Sequence, residues 1–217
     1  MFSGAARRAV RSRESDMSRI VVSTMLSIDG YADGPGGDVA ALPMDQAFSA
    51  HNVERVRAAG HLLFGAVGYR GMLQYWPARV GDPEATPDDQ YIASRYAAGI
   101  PITVISDSLT RDDVTAFEEQ TTIVRRADAH DVVARLRASG TPGDVLLFGG
   151  LTLWTDLLAH GLVDELHLMV GPRVVAGDRR AFEGLTGIEL DLLGVRTWAD
   201  SRNVVLSYAP TNGGHRG

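Results

Sequence analysis

The sequence predicts an α/β fold: a mostly parallel central sheet flanked by helices, with an antiparallel C-terminal edge. Three observations carry this. Short β-branched runs alternate with stretches of helical spacing from residue 19 to residue 170, the pattern of successive βα units. Two late β-type runs, residues 188–197 and 203–208, have no helix between them, which suits antiparallel pairing. Val145-Leu-Leu-Phe148 passes straight into Gly149-Gly150 and then into a helical pattern, a strand-turn-helix unit.

Each element follows from local chemistry. Residues 19–25 (Arg-Ile-Val-Val-Ser-Thr-Met) are rich in β-branched side chains and read as the first strand. A glycine-rich loop covers residues 27–37. Residues 46–59 place Phe48, Val53 and Val56 on one helical face, and Gly60 is the expected stop. His61-Leu-Leu-Phe64 is a short buried-type strand ending at Gly65. A short helix from Tyr69 to Tyr75 leads to Trp76-Pro77, a loop spans 79–87, and another helix covers 88–98. Residues 102–106 and 121–124 are strands. Asp128 is placed to cap a helix through Arg137, with Val132, Val133 and Leu136 on one face and Gly140 as its end. A strand at 145–148, a helix at 151–160 and a strand at 165–170 complete the alternating part.

The chain of 217 residues, 45% hydrophobic and 22% charged, suits one domain over residues 17–210 with a full core. Residues 1–16 carry Arg7, Arg8, Arg11 and Arg13 with no apolar stretch, so a disordered extension is expected rather than a signal peptide. Residues 211–217 read as a flexible tail. No apolar run is long enough to span a bilayer, so a soluble, cytoplasmic protein without membrane partners is expected. The net charge of −6 argues against nucleic acid as a partner and leaves a small-molecule substrate. All 21 basic residues are arginine, which excludes Schiff-base and Walker-type lysines. The absence of cysteine excludes disulfides and thiolate chemistry. The six histidines are scattered along the chain with no close pair at ligand spacing, and no metal site is expected.

Three strand ends carry small or polar residues: Gly65-Ala66-Val67-Gly68, Ser106-Asp107-Ser108 and Gly149-Gly150. Ligands of open α/β sheets bind beyond such ends. At Gly149-Gly150 a ligand meets backbone without a Cβ, and the start of the next helix favours an anion. An ordinary tight turn remains the alternative reading at each end.

In order along the chain come Ser27-Ile-Asp-Gly30, Leu-Leu-Phe-Gly65 with Tyr69 and Tyr75-Trp-Pro77, and Val-Ile-Ser106. Phe-Gly-Gly150, Leu162-Val-Asp-Glu-Leu166 and Gly171-Pro-Arg-Val-Val-Ala-Gly177 follow, then Arg180-Ala-Phe182. Over residues 18–210 this ordered set resembles the dihydrofolate reductase superfamily, most closely the reductase-domain branch shared with riboflavin-biosynthesis reductases. The resemblance implies a dihydrofolate reductase-like fold and hydride transfer from a nicotinamide cofactor, NADPH or NADH. It implies a nicotinamide near Met25 and the Asp29 loop. The pyrophosphate would lie at Gly149, Gly150, Leu151 and Thr152, and the adenosine end across Gly65 and Ser106. It also implies a homodimer.

Two departures bear on the cofactor. The family usually has Gly-Arg-x-Thr after the second strand, where this chain has Gly65-Ala66-Val67-Gly68. Asp107 stands where a basic or neutral polar residue is common, and a carboxylate there opposes a 2′-phosphate. The expectation is therefore a weakened NADPH preference, with NADH, a flavin or deazaflavin, or no cofactor as the other options. Arg70, Arg111 or Arg125 could restore charge from elsewhere. A degenerate member acting as a ligand-binding or regulatory protein is the rival reading. Leu42-Pro-Met-Asp45 looks like the segment carrying the family's active-site carboxylate, so Asp45 is either a proton-handling group of raised pKa or a helix N-cap. Asp29 is a second catalytic candidate or a loop-shaping residue. Tyr75 and Trp76 are candidate walls of the substrate pocket, or plain packing.

Overall fold

The computed structural model describes residues 17–211. The proposed extension at 1–16, and all of the tail except Thr211, lie outside the described residues. Residues between these limits build one eight-stranded sheet, in the order β4-β3-β2-β5-β1-β6-β8-β7. The strands are β1 Ile20–Ser27, β2 Ala59–Gly65, β3 Ile102–Ile105, β4 Thr121–Val124, β5 Asp144–Phe148, β6 Glu165–Gly171, β7 Leu190–Thr197 and β8 Val204–Pro210. Six are parallel; β8 runs antiparallel to β6, and β7 antiparallel to β8. Five helices cover the sheet: α1 Gln46–Ala58, α2 Ala66–Tyr75, α3 Pro87–Ala97, α4 Ala129–Ala138 and α5 Leu151–Ala159.

Strand alternation divides the core into two layers. Val21, Leu62, Phe64, Ile102, Val104 and Leu146 meet Val53 and Val56 of α1, Tyr69 and Met72 of α2, and Ile92 and Tyr96 of α3. Ile20, Val22, Leu63, Val145, Leu147 and Leu166 face the other way, against Val133 of α4 and Trp154, Leu157 and Leu158 of α5. A parallel strand covered on both faces is buried whatever its alternation, so all of β1 is buried, including Ser23, Thr24 and Ser27. No helix among the described residues is long and apolar enough to cross a membrane.

The structure departs from the sequence reading at informative places. Helix α2 begins at Ala66, not Tyr69, so Ala66-Val67-Gly68 is its first turn rather than a loop. Gly60 does not stop α1; the cap is Ala59, and Gly60 lies within β2. There, a Cβ would fall 2.0 Å from the Pro142 carbonyl oxygen, so close backbone approach explains the glycine. Asp128 precedes α4, but its side chain caps nothing. Strand β7 starts at Leu190, and its pairing with β8 shifts between Leu192 and Gly194.

Candidate functional site

Strands β2 and β5 are parallel neighbours, yet their chains leave to opposite faces of the sheet. After Gly65 the chain enters α2 on one face; after Gly150 it enters α5 on the other. This is the topological switch point at which open α/β sheets form a ligand crevice. The two exits are close: a Cβ on Gly150 would lie 4.0 Å from the Gly65 nitrogen. Gly149 and Gly150 have φ of 54° and 65°, the left-handed region that favours glycine.

Both helices that open on this crevice are uncapped. Helix α1 has Asp45 and α3 has Thr86 accepting from first-turn N–H groups, and α3 adds Asp88 and Asp89 in that turn. Helices α2 and α5 start from glycine, with no side-chain cap and no acidic residue in the first turn. Their unsatisfied N–H groups and positive dipole ends suit an anion. Leu151 is buried beneath α5, whereas Thr152 is exposed at its start. Ala66 packs against the core below α2, and a Cβ on Gly68 would lie 3.7 Å from the Phe148 carbonyl oxygen.

The adjoining edge of β1 is open. Strand β5 ends at Phe148 opposite Ser23, and the Gly149 N–H donates to the Ser23 carbonyl at 2.9 Å. Peptide groups two residues apart face the same strand edge, so Met25 presents its N–H and C=O beyond the end of β5. Strand β6 continues to pair with the opposite edge as far as Ser27.

Two loops wall this end of the sheet. The Asp29 carboxylate accepts from the Val175 N–H at 3.2 Å and the Ala176 N–H at 2.9 Å. Hydrogen bonding from the Ser27 hydroxyl, then from these two backbone groups, holds its pKa down to about 2. Asp29 therefore fastens the loop after β6 to the loop after β1 and is ionised at neutral pH. Sequence reasoning missed the second fastening: Asp33, fully buried, accepts from Arg179 Nε at 2.5 Å. No local spacing marks that pair, because the partners lie far apart in the chain.

Asp45 is an N-cap. Oδ1 accepts from the Ala47 and Phe48 N–H groups and from Asn203 Nδ2, and Oδ2 from the Ser201 hydroxyl at 2.6 Å. Partial burial raises its pKa, but these donors outweigh that and lower it. Capping is therefore the role these contacts show for Asp45.

Further expected site residues make contacts within the protein. Ser106 is buried, and its hydroxyl accepts from the Ser108 and Leu109 N–H groups, shaping the loop after β3. Asp107 is exposed, accepts from the Arg126 N–H at 3.0 Å and stands 4.0 Å from the Arg126 guanidinium. Arg126 is thus the cation beside this carboxylate. Arg111 donates to the Thr121 carbonyl. Tyr75 and Trp76 lie at the far end of α2, about 15 Å from its start for ten residues of helix. The Tyr75 hydroxyl donates to Asp89, and Trp76 stacks on Tyr96. The histidines, dispersed in sequence, are not all dispersed in space: His130 and His160 meet around Asp156.

Comparison with known proteins agrees with this architecture. The model of the RibD C-terminal domain matches residues 18–206. A candidate riboflavin biosynthesis protein from Shewanella sp. PV-4 is 18% identical with a TM-score of 0.63, covering 88% of this chain and 98% of its own. RibD from Acinetobacter baumannii is 16% identical with a TM-score of 0.63; the match covers 93% of this chain and 60% of that one. Dihydrofolate reductase from Enterococcus faecalis, solved with NADP(H), is 11% identical with a TM-score of 0.53, covering 89% and 97%. A comparison with curated proteins found no match. The dihydrofolate reductase-like fold is thereby shown, and the chain belongs to the RibD C-terminal domain family.

Proposed function

We propose that this protein is a small oxidoreductase that moves a hydride from a reduced nicotinamide dinucleotide to a heterocyclic or carbonyl substrate. The observation that carries the proposal is the pair of uncapped helix starts, α2 and α5, opening on one crevice from opposite faces of the sheet. A diphosphate fits that arrangement: donors on both sides, no first-turn carboxylate and no Cβ at Gly149 or Gly150. The free N–H and C=O of Met25 suit a carboxamide, which is both donor and acceptor. When bound, the cofactor supplies the hydride; the chain supplies position and exclusion of water. Both Asp29 and Asp45 have lowered pKa values and hold no proton to give at neutral pH. Neither carboxylate is therefore the proton source of the proposed reduction.

The proposal includes a weakened preference for NADPH. Ala66 and Gly68 offer no side-chain donor to a phosphate. Each missing charge-assisted bond is worth roughly 1.5–3 kcal/mol, so two weaken binding about a thousandfold. Arg126 beside Asp107 works against this by placing a positive charge nearby. Titration with NADPH and NADH, read by tryptophan fluorescence, is the test. Comparable affinities are expected. Tight, selective NADPH binding would overturn the weakened preference, and binding of neither would overturn the reductase reading in favour of a degenerate binder. Visible absorption by the purified protein would point instead to a flavin or deazaflavin.

A homodimer is part of the same proposal. Edge strand β7 exposes Leu192, Leu193 and Val195, an apolar stretch that a second copy would cover. Sedimentation of the wild type against Leu193→Glu reads it out; a monomeric wild type refutes it.

A further inference from the structure

We infer a divalent transition-metal site, of the kind zinc occupies, formed by His130, Asp156 and His160 where α4 meets α5. One ring nitrogen of each histidine and one Asp156 oxygen all lie within 4.8 Å of one another. Asp156 and His160 are four residues apart, the spacing that places two side chains on one face of a helix. His130 reaches them from α4.

The carboxylate serves both rings. Asp156 Oδ2 is 2.7 Å from His130 Nε2, and Oδ1 is 3.4 Å from His160 Nδ1. The two imidazoles lie 4.0 Å apart between centroids. His160 Nδ1 also lies 2.8 Å from the Asp156 carbonyl oxygen. A metal held through Nε2 keeps that contact as an outer hydrogen bond, whereas one held through Nδ1 displaces it.

Two imidazoles and a carboxylate form the donor set of three-ligand zinc sites, with a fourth position left for water. Bonds of about 2.0–2.2 Å at tetrahedral angles place donors roughly 3.3 Å apart. The widest donor separation must therefore close by at most about 1.5 Å, while Asp156 Oδ2 and His130 Nε2 part slightly from 2.7 Å, and all three side chains are between two fifths and just over half exposed, free to do so. Imidazole-rich sets favour zinc, nickel and copper over magnesium or calcium. The place in the fold suggests a clamp. Arg137 of α4 already donates to the Gly161 carbonyl just past α5, and a metal would add a second tie between the same helices. The site lies about 8–14 Å along α5 from its start at the crevice, so it is separate from the proposed dinucleotide site.

The test uses the full chain, stripped with chelator and titrated with Zn²⁺ by calorimetry, with Co²⁺ as a spectroscopic probe. One equivalent of Zn²⁺ is expected to bind and to raise the melting temperature by several degrees at saturation. His130→Ala, Asp156→Asn and His160→Ala should each weaken binding at least tenfold and abolish that rise. In chelator their melting temperatures should match the wild type within about two degrees, since exposed sites tolerate such changes. His61→Ala, away from the cluster, should bind like the wild type. No Zn²⁺ binding by the wild type at micromolar concentrations, or equal binding by the three variants, overturns the proposal. Dinucleotide affinity, measured separately, does not enter either outcome.

Discussion

Thr152 is exposed in the first turn of α5, beside the positive end of that helix. Thr152→Glu should act in opposite directions on stability and ligand. A carboxylate there favours the helix dipole by about 0.3–1 kcal/mol, so the urea midpoint should rise slightly, while dinucleotide affinity should fall at least tenfold by repulsion of the diphosphate. Asp45→Ala removes a cap with four donors and should cost about 0.5–2 kcal/mol of stability. Asp45→Asn should retain turnover within a few-fold. Because its pKa is lowered, the contribution of Asp45 is present above the ordinary carboxylate range and is lost as pH falls through its folded value. His51 carries a larger acid sensitivity. It is buried, its two ring nitrogens have no hydrogen-bond partner among the described residues, and burial, then His167 and Arg55, push its pKa down to about 4. Unfolded, it titrates near 6.5, so between that pH and about 4 the unfolded chain binds the extra proton. Wild-type stability should fall by roughly 1.4 kcal/mol per pH unit in that window relative to His51→Phe, as denaturation at pH 7, 6 and 5 would show. Sequence made Asp45 visible as a capping candidate, because a cap is local. It could not reveal that Ser201 and Asn203 complete the carboxylate's shell, and so fix the sign of its pKa.

At the scale of elements, α5 joins the core to the crevice. Trp154 and Leu157 are fully buried against β1, β5 and β6, and Trp154 meets the Phe182 ring edge-on. Leu157→Ala should cost about 2–5 kcal/mol in urea denaturation. The same change should weaken dinucleotide binding, since the burial of this face is what holds the N–H groups of α5 at the sheet's edge. The helical spacing of α5 and the glycines before it were legible because strand, turn and helix are contiguous. Helix α2 was misread at its start for the complementary reason: Gly68 suggests a loop by propensity, and the structure nevertheless carries the helix through it from Ala66. Tyr75 and Trp76 close α2 at the end away from Gly65, a separation that follows from the helix's length, whereas their partners Asp89 and Tyr96 belong to α3 and are not marked by any local spacing.

Across the whole molecule, the alternation of β and α segments made a parallel sheet with an antiparallel edge readable, since each crossover imposes its own direction. The order of the strands was not readable. It depends on β5 inserting between β1 and β2, a pairing of residues more than eighty positions apart. That insertion also leaves an open ledge along β1, because β5 stops at Phe148 while β1 runs on to Ser27. Main chain furnishes the edge of this ledge. Ordinary side-chain replacement at Met25 would alter its floor without deleting the amide beside it; only an imino acid removes the hydrogen. Under the proposed function, binding of a ring amide there would be buffered against mutational drift, because the groups it needs belong to every residue but proline.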